Sequence, residues 1–211
     1  MVALHSVTFG YTSHPILKDI SLHVREGQFV TIVGHNGSGK TTLLKLILGL
    51  IKPNRGSVSV AQKSLSPGAK RASIGYINQG SIHTRLPISV AEVVKIGLAA
   101  DSRETDITES LALLGIEDLE GMQYRHLSGG QKQKVNIARC LVGRPKLLLL
   151  DEPDAFLDQK SESEFMEILK NLNTVRGITI IMVSHNLALV QRYASRVCRL
   201  ENGSLQEHPQ W

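Results

Sequence analysis

Gly34-His35-Asn36-Gly37-Ser38-Gly39-Lys40-Thr41 fits the pattern G-x-x-x-x-G-K-[ST], in the setting that the pattern requires. Before it runs Phe29-Val30-Thr31-Ile32-Val33, a short β-branched stretch that reads as a buried strand. After it comes Thr42-Leu43-Leu44-Lys45-Leu46-Ile47-Leu48, an apolar segment of helical character. A strand that turns through glycines into a helix makes a phosphate site. Backbone N–H groups of the loop converge on one concavity, and the helix dipole adds partial positive charge there. Gly34, Asn36, Gly37, Ser38, Gly39 and Thr42 are therefore expected around the phosphates. Lys40 should reach the β and γ phosphates and the Thr41 hydroxyl should ligate Mg²⁺. The stretch predicts nucleotide binding and leaves open what the nucleotide drives.

The 211 residues suffice for one substantial core, with or without a small subdomain. No run approaches 18 apolar residues, so no membrane span is expected, and Met1-Val2-Ala3-Leu4-His5 lacks signal-peptide character. Cys140 and Cys198 sit in apolar segments without metal-ligand spacing, so both are expected as buried free thiols. A net charge of +5 could suit nucleic acid or an anionic membrane surface. The basic residues are scattered, however, and aromatics are only 4%, too few for base stacking. A mildly basic solvated surface is the simpler expectation, with no nucleic-acid partner.

Two short strands, residues 2–9 and 19–25, precede the loop. After the phosphate-loop helix a turn leads to a strand at 57–60, an exposed loop is expected over 61–72, and Ile74-Gly75-Tyr76-Ile77 reads as strand. Around residue 80 the character changes to helical patterning. Ser89 and Glu92 form a capping box opening a helix to about Leu98, and a second helix covers 105–114. Residues 80–127 thus read as a helical subdomain inserted in a core of 1–79 and 128–211. Helices follow over 129–142, 158–172 and 186–194. Between them lie the unbroken apolar runs Leu147–Leu150 and Ile178–Val183, strands buried on both faces, and a closing hairpin ends the chain. This alternation predicts an α/β fold: a mainly parallel sheet with N-terminal antiparallel strands.

Asp151 and Glu152 end the Leu strand at the carboxyl edge of the sheet, where the phosphate loop also lies. One carboxylate suits Mg²⁺ and its neighbour can polarise a water for attack on the γ-phosphate, or the two are an acidic helix start. His185 ends the second buried strand at the same edge, either structural or within reach of a γ-phosphate. Leu127-Ser128-Gly129-Gly130-Gln131 opens another helix, with Ser128 a plausible N-cap; it is a second anion site or a plain loop.

Gly34–Thr41, then Leu127–Gln131, then Asp151-Glu152 and His185, in that order, resemble the nucleotide-binding subunit of an ABC transporter over almost the whole chain. The resemblance implies an ATP- and Mg²⁺-dependent ATPase with a P-loop cassette fold, bound peripherally at the cytoplasmic face of the cell membrane. Tyr11 is similar to the family's adenine-stacking aromatic; otherwise it is a turn-flanking tyrosine. Gln79 matches the glutamine that contacts Mg²⁺ or the attacking water; otherwise it is a loop residue. Asp158 matches the aspartate linking two sites, or is a helix N-cap. Glu152 would be the general base and His185 the γ-phosphate switch. Ser128, Gly129, Gly130 and Gln131 would close over ATP held by a second copy in a head-to-tail dimer. A transmembrane permease would be the direct partner and an extracytoplasmic substrate-binding protein an indirect one.

Where the family commonly has Glu-Pro-Thr-Ser-Ala-Leu-Asp, this chain has Glu152-Pro153-Asp154-Ala155-Phe156-Leu157-Asp158, adding charge near the metal site and bulk. Asn186 replaces the usual aspartate after the histidine. Residues 74–79 followed by 86–94 resemble subunits of zinc and manganese uptake systems, so metal-ion import is expected, and the compact length is compatible with it. The rivals are another importer or an exporter, a soluble ABC protein of DNA repair or translation, and a scaffold without turnover.

Overall fold

The structure is a computed structural model and describes residues 1–61, 63–64, 74–78, 87–98, 105–155 and 157–207. Two sheets flank the helix that follows the phosphate loop. The first is antiparallel and comprises β1 (Val2–Phe9), β2 (Leu17–Val24), β4 (Arg55–Val60) and the short β5 (Lys63–Ser64), in the order β2-β1-β4-β5. The second comprises β3 (Phe29–Val33), β6 (Ile74–Ile77), β7 (Leu147–Asp151), β8 (Thr179–Ser184), β9 (Arg196–Glu201) and β10 (Ser204–Glu207). Its order is β10-β9-β3-β8-β7-β6, parallel throughout except for the terminal β9–β10 hairpin.

The period of two explains why the parallel strands read as unbroken apolar runs. Leu147 and Leu149 belong to the core facing the antiparallel sheet, while Leu148 and Leu150 belong to the core on the opposite face. Between the sheets lies α1 (Lys40–Ile47), whose Leu43, Leu44, Leu46 and Ile47 are all buried. A short helix walled in on both sides cannot drift, so the loop at its N-terminus is held fixed against β3. On the opposite face pack α4 (Gly129–Leu141), α5 (Gln159–Arg176) and α6 (Leu187–Tyr193).

Between β6 and α4 lie α2 (Val90–Lys95) and α3 (Thr105–Ala112), followed by two 3₁₀ turns at Glu117–Leu119 and Tyr124–His126. The capping box is present: Ser89 Oγ accepts the Glu92 N–H at 3.2 Å and Glu92 accepts the Ser89 N–H at 2.7 Å. Val90, Val93 and Val94 are fully buried and join the same core as α4. Both cysteines are buried and free.

Three local expectations differ. Within the stretch 61–72, expected as loop, Lys63 and Ser64 pair with Val60 and Ser59, extending the edge of the antiparallel sheet. The helix expected over 158–172 runs on to Arg176, because its amphipathic face continues until Gly177 takes the left-handed cap at φ 67°. The helix opening at Ser89 stops at Lys95 rather than near Leu98.

Candidate functional site

The loop from Gly34 to Thr41 leaves β3 and wraps the N-terminus of α1. Gly39 sits at φ 102° as the N-cap, a conformation that a side chain resists, and a Cβ there would meet Ile16 at 2.9 Å. A cleft of about 460 Å³ opens over this turn, lined by Ile16, Asn36, Gly37, Gly39, Lys40, Thr41, Thr42 and Glu152. Ser38 is buried, and its hydroxyl has no hydrogen-bond partner among the described residues. An unpaired buried hydroxyl inside a ring of amide donors fits an incoming phosphate oxygen.

Lys40 is only 4% exposed, and its ammonium is held by three acceptors. It donates to the carbonyls of Gly34 at 2.9 Å and His35 at 3.1 Å, and it pairs with Glu152 Oε1 at 3.2 Å. Glu152 is 8% exposed and its backbone stands at φ 47°, in the left-handed region. A non-glycine residue there carries strain, which structures tend to store at working sites. The Glu152 N–H donates to Val183 O at 3.0 Å, which fixes the strained turn to the neighbouring strand.

Asp151 lies one residue earlier, at the end of β7. Its Oδ1 accepts the Thr41 hydroxyl at 3.1 Å, so the residue following Lys40 and the strand-end carboxylate meet across the sheet edge. The Tyr76 hydroxyl lies 3.5 Å from Asp151 Oδ2, and burial together with that carboxylate pushes the phenol up to about 12. Burial also raises the Asp151 carboxyl; its bonds to Thr41 and Tyr76 and the Lys40 charge oppose that, while the Glu152 charge adds to it. A divalent cation would favour the charged form.

Ser128 to Gln131 do not line this cleft. They open α4 with a full capping box, Gln131 Oε1 accepting the Ser128 N–H at 2.9 Å and Ser128 Oγ accepting the Gln131 N–H at 3.3 Å. Gly130 faces the first turn of α5, where a Cβ would stand 3.1 Å from Ser161 Oγ. Asp158 is the N-cap of α5, accepting the N–H groups of Lys160 and Ser161 at 3.1 and 3.0 Å. These bonds, with the Ser161 hydroxyl, hold its carboxyl below the usual range. Tyr11 is 58% exposed and stands edge-on to Phe9, ring centroids 5.0 Å apart. His185 is exposed just beyond the end of β8. Asp154, expected to add a negative charge near the metal site, accepts the Ser184 hydroxyl at 2.6 Å. Gln79 and Phe156 lie outside the described residues.

Sequence reasoning missed Ile16, which forms an apolar edge of the cleft, and Tyr76. Neither belongs to a motif; strand register alone brings Tyr76 opposite Leu149, two residues from Asp151. It also missed the reciprocal Gln131 bond, although the S-x-x-Q spacing was readable.

A phosphate loop, a paired lysine and two adjacent carboxylates on the carboxyl edge of a parallel sheet define a P-loop nucleoside triphosphatase. Residues 17–155 match the family model described as ABC transporter. The high-affinity zinc uptake system ATP-binding protein ZnuC of Bacillus subtilis is 36% identical, the match covering 96% of this chain and 92% of that protein. The spermidine/putrescine import ATP-binding protein PotA of Mycoplasma capricolum is 39% identical over 98% of this chain and 60% of its own length. A dimeric ATP-binding cassette solved in a post-hydrolysis state with ADP and Pi superposes with a TM-score of 0.82 at 28% identity, covering 100% of this chain and 99% of that one. The chain belongs to the ABC transporter family and is its ATP-hydrolysing cassette. No helix among the described residues is long and apolar enough to cross a membrane.

Proposed function

We propose that this chain powers an importer of a divalent metal ion, zinc or manganese, by hydrolysing ATP in a site completed by a second copy of itself. The observation that carries the catalytic part is the 3.2 Å pair between Lys40 and Glu152 inside the phosphate cleft. An incoming γ-phosphate competes with Glu152 for the ammonium, releasing the carboxylate beside the atom to be attacked.

Lys40 and the amides of residues 36–42 bind the triphosphate, with the Ser38 hydroxyl as an added donor. Tyr11 stacks on the base. Thr41 and Asp151, hard oxygen donors already in contact, fit Mg²⁺, with Gln79 as a further ligand; one carboxylate plus phosphate oxygens is its common protein environment. Mg²⁺ when bound neutralises charge building on the phosphates. Glu152 takes the proton of the attacking water as its oxygen bonds to the γ-phosphorus and the bridge to ADP breaks, giving ADP and phosphate. His185 contacts the γ-phosphate. Ser128, Gly129, Gly130 and Gln131 cover the nucleotide of the other copy, and Asp158 lies between the two sites. Residues 80–127 form the inserted helical subdomain, and residues 1–79 with 128–211 the core. The assembly sits at the cytoplasmic face of the cell membrane, and a substrate-binding protein acts on it through the permease.

The metal reading is supported by the zinc-uptake relative and by the resemblance of residues 74–79 and 86–94 to zinc and manganese cassettes. The polyamine-import relative supports a second reading. When the chain is reconstituted with its permease in vesicles, ATP-driven uptake of radioactive zinc or manganese is expected and spermidine uptake is not. Spermidine accumulation without metal uptake would reverse the choice.

A further inference from the structure

Asp154 does not line the phosphate cleft, yet it is only 5% exposed, two residues beyond Glu152. One of its oxygens accepts the Ser184 hydroxyl at 2.6 Å; the other, Oδ1, has no hydrogen-bond partner among the described residues. A buried carboxylate that is half satisfied costs free energy, so fold stability does not account for it.

What Asp154 holds does account for it. Ser184 is the last residue of β8 and is fully buried. Its Oγ donates to Asp154 and at the same time accepts the N–H of Asn186 at 3.0 Å. The residues on either side of His185 are therefore joined to each other, and Ser184 is anchored on Asp154. A second anchor comes from α5. Asn186 Nδ2 donates to Glu162 Oε1 at 3.0 Å, while Asn186 Oδ1 accepts the Leu189 N–H and caps α6. An asparagine suits this position for a physical reason: an aspartate in its place would set one carboxylate against another. Behind Asp154, Gln133 Nε2 donates to Pro153 O at 2.8 Å, fixing the preceding residue to α4.

We infer that Asp154 and Glu162 are positioning residues for His185, fixing the segment Ser184–Asn186 from two sides so that an otherwise exposed imidazole is presented at one place. The inference rests on the reading of His185 as the γ-phosphate contact. Binding of the nucleotide is carried by the phosphate loop and is not touched by these anchors, so their loss should lower turnover and leave KM for ATP in place.

The test measures ATP turnover of the purified full chain with Mg²⁺. Asp154→Ala and Ser184→Ala are each expected to lower kcat about tenfold or more, since small misplacements of a reacting group carry losses of that size, with KM nearly unchanged. The double variant should be no worse than Ser184→Ala, which already removes the Asp154 contact along with the bond from the Asn186 N–H. Asp154→Asn, which still accepts the Ser184 hydroxyl, should recover most of the loss. Asn186→Asp should also lower kcat, and adding Glu162→Gln should restore it by supplying a donor. If Asp154→Ala does not fold, Ser184→Ala and the Asn186–Glu162 rescue carry the result. Unchanged kcat in Ser184→Ala and Asn186→Asp, or losses that multiply in the Asp154–Ser184 double variant, would overturn the inference. His185→Ala separates the two levels. Full turnover in that variant overturns the role of His185 and the inference together, whereas a dead His185→Ala beside active Ser184→Ala and Asn186→Asp overturns the anchors alone.

Discussion

Glu152→Gln is expected to lower ATP turnover by roughly a hundredfold to ten-thousandfold, the range lost when a positioned general base is removed. The variant keeps the size and most hydrogen bonds of the side chain but cannot take a proton from water. The ion pair with Lys40 decides what happens to binding. In the wild type a phosphate must displace Glu152 from the ammonium, at 3.2 Å in a buried cleft. With glutamine there is no competing anion, so ATP affinity is expected to hold or rise while turnover falls. Single-turnover hydrolysis and equilibrium binding of ATP check the two halves. A variant that hydrolyses at the wild-type rate would remove Glu152 from the chemistry. One that loses binding and turnover together would make the residue structural.

Lys40→Ala is expected to act oppositely, on binding first. Among the described residues, the ammonium is the one side-chain cation lining the cleft, and a charge-assisted bond to a polyphosphate is among the strongest that a side chain makes. Its loss should weaken ATP binding about a hundredfold or more, close to 3 kcal/mol. The variant also leaves Glu152 buried without the Lys40 charge, which places a second anion beside the phosphates. Removing that carboxylate as well, in Lys40→Ala with Glu152→Gln, should therefore recover part of the affinity without recovering turnover. Isothermal titration with a non-hydrolysable ATP analogue measures both. Equal affinity for the single and double variants would show that the Glu152 carboxylate does not oppose binding.

What the sequence made legible follows from what is local in it. The phosphate loop, its strand and its helix are one contiguous stretch, and the Leu147–Leu150 run announces a strand buried on both faces because nothing polar interrupts it. Asp151 and Glu152 were placed at the sheet edge because they end that run. Local patterns also carried the Ser89–Glu92 capping box. The pairing of Lys40 with Glu152 was not legible, because it depends on β3 and β7 being brought together by β8 between them. The same holds for Tyr76 beside Asp151, a matter of register between β6 and β7. The bond from Ser184 to Asp154 was not legible either, because it depends on the turn after the strained Glu152 meeting the end of β8. Asp158 is the opposite case, where the simple N-cap expectation describes the geometry of the single chain.

One chain holds half of each site in the proposed dimer, a reading motivated by the placement of Ser128–Gln131 outside the cleft of their own chain. The most direct measurement is the mass of Glu152→Gln in solution, by light scattering, with and without ATP and Mg²⁺. One chain is expected without nucleotide and two with it, and no doubling when Ser128→Arg is added to the same variant. A single-chain mass at saturating ATP, or a doubling that survives Ser128→Arg, would contradict it.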